Sequence, residues 1–232
     1  MNQIDTNLYK ENKAINGATR HILENIPGMK VIRETNINFH RFVFPNPDGS
    51  DPTGINIEEG ELLYGLVRTF KPRLMLETGT NIGTSAIYAA LAMKDNGFGK
   101  LITLEGFKDL IPTAQHYIDL VGVSDQVEIV HALSQDFELA KDQVIDFMWL
   151  DTLLEIRYQE LMKFYPHLTN GGIICIHDHP CLGENPAFGP VPELVSSLHR
   201  IEAQTGHGLT FFQKRTTGVS NESRVYYGIN NS

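Results

Sequence analysis

The chemistry-bearing residues of this chain fall in short, separated clusters. Glu77 sits with Gly79 and Gly83, Glu105 with Gly106, and Ser134 with Gln135; Asp151 stands alone, and His177, Asp178 and His179 are consecutive. The first cluster lies in Leu74-Met75-Leu76-Glu77-Thr78-Gly79-Thr80-Asn81-Ile82-Gly83-Thr84-Ser85, which reads as an apolar strand, an acid, a glycine turn and a helix start. That order aims backbone N–H groups and a helix N-terminus into the crevice at the strand's carboxyl end. Dinucleotide sites space their glycines G-x-G-x-x-G so that a pyrophosphate can approach the backbone. Here the order is E-x-G-x-x-x-G, and a carboxylate at the lip suits a cationic ligand instead. Glu105 follows 22 residues after Gly83, a spacing that suits a carboxylate accepting hydrogen bonds from both hydroxyls of a ribose. Without the glycine turn as context, Glu105 is a solvated strand end and Ser134 a helix cap.

Periodicity supplies the elements that must carry these residues. Apolar runs at Arg73–Glu77, Leu101–Glu105, Val127–His131, Ile145–Asp151 and Gly172–His177 read as strands. Helical patterns near 83–94, 109–120, 136–142, 155–167 and 190–204 separate or follow them, and another helix spans about 57–70. This alternation predicts right-handed crossovers and a parallel sheet buried on both faces. Ligands of such sheets bind beyond the strands' carboxyl ends, where the acids fall. Leu8, Ile15, Ile22 and Ile26 predict a helical N-terminal extension over residues 1–30, and residues 45–54, rich in Pro, Gly and Asp, predict a loop. Leu209–Lys214 and Arg224–Ile229 read as a hairpin. The expected division is a cap over 1–53 and one compact unit over 54–232.

Composition narrows the function class. The chain is 41% hydrophobic and 20% charged over 232 residues, enough for a sizeable core, and its formal net charge is −9. That charge argues against general nucleic-acid or anionic-membrane binding. No apolar run approaches the ~20 residues of a membrane span, and no signal-peptide pattern is present, so a cytoplasmic setting is expected. Cys175, in an expected central strand, reads as a buried hydrophobe rather than a disulfide partner of Cys181.

The Glu77–Ser85 segment resembles the first motif of class I S-adenosylmethionine (SAM) methyltransferases, in which the acid meets the methionyl amino group. Ala132-Leu133-Ser134-Gln135-Asp136 resembles the Gly-Ala-Ser-Gln-Asp segment of catechol O-methyltransferases, whose Ser and Gln contact adenine. Asp146-Phe147-Met148-Trp149-Leu150-Asp151, followed by Arg157-Tyr158, is similar to that family's fourth strand and Arg-Tyr segment. The resemblance covers roughly residues 54–230. It implies an α/β, Rossmann-like seven-stranded methyltransferase sheet, five parallel strands plus a C-terminal hairpin, behind an N-terminal helical extension. It also implies a SAM site built from Glu77, Gly79, Thr80, Asn81, Gly83, Ser85, Glu105, Gly106, Ser134, Gln135 and Asp151, and a small-molecule acceptor methylated at oxygen.

The resemblance breaks down at the chemistry. In metal-dependent members the aspartate ending strand four and an Asp-Asn pair after strand five hold Mg²⁺. Here the matching residues are Asp151 and His177-Asp178, a set with an imidazole that would take Mg²⁺, Mn²⁺ or Fe²⁺. The family's lysine base is replaced by Leu154, which leaves His177, His179 and Asp151 as the candidates for proton transfer. Two alternatives stay open: a non-methylating activity (hydroxylation, decarboxylation or ring closure), and a non-catalytic SAM-binding protein. Residues 180–190, with the 45–54 loop, are expected to wall the acceptor site; Phe44 and Phe188 are candidate liners and Trp149 a core residue. The N-terminal helices are a natural homodimer contact.

Overall fold

The computed structural model describes residues 54–179, 186–203 and 207–214, with Leu23, residues 25–27, 29–34 and 39–43, and Thr205. A two-stranded antiparallel ribbon comes first, β1 (Lys30–Glu34) and β2 (Phe39–Val43). There follow α1 (Ile57–Phe70), β3 (Leu74–Thr78), α2 (Thr84–Asn96), β4 (Lys100–Glu105), α3 (Ile111–Val121), β5 (Val127–His131), β6 (Ile145–Leu150), α4 (Arg157–Phe164), β7 (Leu168–His177), α5 (Glu193–Ser197), β8 (Arg200–Ala203) and β9 (Leu209–Gln213). The main sheet has seven strands in the order β5-β4-β3-β6-β7-β9-β8. Strands β3 to β7 pair in parallel, and β9 runs antiparallel to both β7 and β8.

The strand period of two splits the core into two layers. Met75, Phe147, Trp149 and Cys175 face α1, α2 and α3, where they meet Leu63, Val67, Ile87 and Ile118. Leu76, Met148, Leu150, Ile174 and Ile176 face α4 and meet Tyr158, Leu161 and Phe164. Helix α2 is buried on every side from Thr84 to Met93, and its alanines let α1 and the sheet approach closely. On α1, Gly60 faces the Tyr88 ring; a Cβ there would lie 2.2 Å from Tyr88 Cε2.

The expected parallel sheet forms; four of its five expected strands are present within a residue, and β7 begins four residues earlier than expected, at Leu168. Two helices differ. Residues 136–142 make turns, because the segment's packed apolar residues, Phe137 and Leu139, are two apart and cannot share a helical face. The 190–204 helix is cut to Glu193–Ser197, and the chain then extends into β8, which covers the edge of β9. The hairpin partner of β9 thus precedes it. The expected strand Arg224–Ile229, the extension up to Ile22, Phe44, residues 45–53 and Cys181 lie outside the described residues. No described helix is long and apolar enough to cross a membrane.

Gly60→Ala should lower stability by about 1–3 kcal/mol through overpacking against Tyr88. A lower urea midpoint at unchanged slope would register it.

Candidate active site

A cavity of about 750 Å³ opens at the carboxyl ends of the parallel strands, within the usual range for a small-molecule site. Its floor depends on Gly79. This residue has φ +88°, and a Cβ would lie 2.3 Å from the Asp151 carbonyl oxygen, so only glycine lets the ends of β3 and β6 meet. Gly83, at φ +86°, opens α2 and leaves its first amides facing the crevice. Asn81, also left-handed at φ 51°, donates its amide to Glu105 Oε2 at 2.6 Å. The Phe107 amide donates to Glu105 Oε1 at 2.8 Å. Glu105 is therefore held rigidly by backbone on both oxygens, and each oxygen keeps a lone pair for a ligand.

Thr80, Asn81, Ser85, Gly106, Ser134, Gln135 and Asp151, all singled out in the sequence, line the same cavity. Phe107, Leu133 and Leu153, each more than half exposed, add an apolar mouth at the ends of β4, β5 and β6. Glu77 is placed differently. It is 0% exposed and lies behind the cavity wall, where its Oε1 accepts the Ser85 hydroxyl and its Oε2 has no partner. Burial, reinforced by the charges of Asp151 and Glu105, pushes its pKa up to about 7 against the Ser85 and Thr103 hydrogen bonds. Glu77 thus reaches a ligand through Ser85 rather than at the lip.

Beyond Asp151 the cavity becomes an array of charges. His177 Nδ1 faces Asp151 Oδ1 at 3.0 Å, and its Nε2 faces Glu59 Oε2 at 3.1 Å. Both ring nitrogens therefore donate to carboxylates, and Trp149 stacks on the ring at 5.8 Å. Burial opposes the charge, yet the Asp151, Asp178 and Glu59 carboxylates outweigh it and hold the His177 pKa well above its ordinary value. Arg157 is anchored by its donation to the Thr152 and His177 carbonyls. Its Nη2 lies 3.1 Å from Asp151 Oδ1 and 3.0 Å from Asp178 Oδ2. Burial would raise the Asp178 pKa, but His177 and Arg157 pull it well below the usual range.

The expected metal set, Asp151, His177 and Asp178, does come together, with donor atoms within 4.8 Å of one another. It does not fit an ion. The Arg157 guanidinium already bridges both carboxylates, and an added divalent charge would meet that fixed cation at contact distance. His179 is not brought to the cavity. It is 0% exposed, with Nε2 at 2.9 Å from Tyr158 Oη and Nδ1 at 3.0 Å from Thr210 Oγ1, which removes it as the reserve base.

Three members of the array were not legible as such. Glu59 lies on the buried face of α1, one turn before Leu63, and an acid in an apolar stripe was the available signal. It also accepts the Asn56 amide at 3.0 Å, closing the helix start. His207 donates its amide to Glu59 Oε1 at 3.2 Å and lines the cavity from the β8–β9 connection, to which no spacing rule points. Arg157 was visible only as part of an Arg-Tyr pair.

Residues 76–179 match the model of a family described as a methyltransferase domain. The catechol O-methyltransferase of Mus musculus is 30% identical over 98 residues, which is 40% of this chain and 36% of that protein. The Sus scrofa enzyme is 29% identical over 99 residues, 40% of this chain and 52% of its own length. The chain therefore spans between a third and about half of the curated relatives it matches. Among solved structures, the O-methyltransferase TomG from Streptomyces achromogenes, in complex with SAM, superposes with a TM-score of 0.58 at 18% identity. That match covers 70% of this chain and 82% of TomG. Cofactor-bound Rv0187 from MTB gives a TM-score of 0.61 at 15% identity, covering 94% of this chain and 99% of Rv0187. The strand order and the structural matches define the fold: this chain has the seven-stranded class I methyltransferase-type fold, and its residues 76–179 are similar to a methyltransferase-domain family.

The raised Glu77 pKa has a thermodynamic consequence. The neutral carboxyl contributes its stability fully below the ordinary value of 4.5, and that contribution fades as pH rises through about 7. Urea midpoints of the ligand-free protein should fall across this window relative to Glu77→Gln, which stays neutral. Parallel pH curves for the two proteins would contradict the assignment.

Proposed function

We propose that this chain is a SAM-dependent methyltransferase acting on an oxygen of a small-molecule acceptor, in a cytoplasmic setting. The observation that carries the reading is Glu105, clamped by the Asn81 and Phe107 amides in a cavity that also presents Ser85, Ser134 and Gln135. A carboxylate held this way keeps an open lone pair on each oxygen for the two hydroxyls of a ribose. The names of both sequence relatives and of TomG specify O-methyltransferases, which supports oxygen as the methylated atom.

When bound, SAM supplies an electrophilic methyl group on a sulfonium. In this reading Glu77, Ser85, Gly79, Thr80, Asn81 and the α2 amides after Gly83 hold the methionyl end. Glu105, with Gly106, takes the ribose hydroxyls, while Ser134 and Gln135 contact the adenine. Asp151 stands where the cofactor and acceptor regions meet. Asp151 and Asp178 orient the acceptor hydroxyl by accepting its hydrogen bond. The adjacent positive charges of His177 and Arg157 stabilise the negative charge that builds on the acceptor oxygen as it attacks the methyl group, and the hydroxyl proton passes to the Asp151 carboxylate that accepts its hydrogen bond. Asp178, with its pKa held low, orients rather than abstracts. Positioning and exclusion of water supply most of the rate.

Calorimetry with SAM and with S-adenosylhomocysteine tests the reading. One site of micromolar-range affinity is expected. Glu105→Ala should weaken it about 10- to 100-fold, the loss of a hydrogen bond to a charged group worth roughly 1.5–3 kcal/mol. No binding, or an unchanged affinity in the variant, would overturn the cofactor assignment.

A further inference from the structure

Methyl transfer makes no use of Glu59, a carboxylate that is 0% exposed. Its Oε2 lies 3.1 Å from His177 Nε2 and 3.6 Å from His207 Nδ1. One donor atom from each of these three residues lies within 4.8 Å of the others. We propose that Glu59, His177 and His207 form a binding site for one divalent transition-metal ion of the Zn²⁺ or Fe²⁺ type, separate from the Asp151–Asp178 pair.

The spacing is that of neighbouring ligands around one ion, which on binding would displace the proton that His177 Nε2 shares with Glu59. Two donors each about 2.1 Å from a metal are about 3–3.5 Å apart in octahedral or tetrahedral geometry. The surroundings are also those of a metal site. His177 turns its other nitrogen, Nδ1, to the Asp151 carboxylate, the outer partner that fixes ring orientation and raises ligand basicity. Glu59 Oε1 is held by the His207 amide. Asn56, 0% exposed, presents Nδ2 to His207 Nδ1 at 3.3 Å.

Two imidazoles and a carboxylate select a borderline ion over Mg²⁺ or Ca²⁺. Among the described residues no guanidinium pairs with Glu59, in contrast to the Arg157 bridge across Asp151 and Asp178. His177 and His207 both line the cavity, which gives an ion an entry path and places it beside the acceptor region. The site does not depend on the cofactor reading.

The test is equilibrium dialysis of the full chain, freed of metal by chelation, against Zn²⁺ and against Co²⁺, with the visible absorption of bound Co²⁺ as a report on nitrogen ligation. One equivalent should bind. His207→Ala and Glu59→Gln should each weaken binding tenfold or more, on the scale of a lost or poorly oriented ligand. Asp178→Asn should retain it. Far-ultraviolet circular dichroism and the urea midpoint of each variant check that the fold is intact, and His207→Ala, at the partly exposed cavity wall, keeps the test decisive if Glu59→Gln misfolds. Failure of the wild-type chain to take up a stoichiometric ion would overturn the proposal. So would loss of binding in Asp178→Asn with retention in His207→Ala, which would put the ion on the aspartates.

Discussion

Everything at the ligand-binding end of this protein depends on one backbone contact, the meeting of Gly79 with Asp151. The Asp151 amide donates to the Thr78 carbonyl at 3.0 Å, and the Asp151 carbonyl occupies the space a side chain at position 79 would need. The contact joins the ends of β3 and β6, the two central strands. On one side the chain turns into the glycine-bounded start of α2, and on the other it delivers the Asp151 carboxylate. The proposed methyl donor and acceptor would need adjacent compartments in fixed orientation, and this joint sets the distance between the two halves of the cavity.

The acceptor half is organised by buried charge. Glu59, Asp151 and Asp178 supply negative groups, and His177 and Arg157 answer them across contacts of 3.0 to 3.1 Å. Such an array adds little net stability, because desolvation offsets much of the attraction, while loss of a single member leaves an uncompensated buried charge. Its value lies in rigidity: Arg157 is tied to backbone carbonyls and His177 is clamped between helix α1 and strand β6. A second buried acid, Glu160 on α4, accepts the Thr78 hydroxyl at 3.0 Å under the cofactor half. Acids on helices from both faces of the sheet thus brace the strand ends.

The sequence made the Glu105, Ser134 and Gln135 side of the cavity legible and misread part of the charged side. Glu105, Ser134 and Gln135 end or follow strands, and a strand's position in a parallel sheet dictates where its last residue goes, so local pattern sufficed. Glu77 was assigned to the right element but the wrong depth, since whether a strand-end carboxylate faces a cavity or lies behind Ser85 depends on how α2 packs. His179 looked equivalent to His177. The left-handed turn at Asp178, φ 54°, separates them, and His179 is drawn into bonds with Tyr158 and Thr210 instead.

Apolar periodicity and glycine spacing in the sequence alone determined the parallel sheet, the glycine turn and the acids at the strand ends, because these follow from contacts between near neighbours in the chain. Only the tertiary structure decided which charges neutralise one another. Glu59, Asp151, Arg157, His177 and His207 come from α1, the β6 end, α4, β7 and the β8–β9 connection. No spacing rule links residues 118 positions apart, as Glu59 and His177 are. Their meeting is fixed by the stacking of α1 on the sheet and by the return of β9 beside β7, and with it the chemistry open to the acceptor.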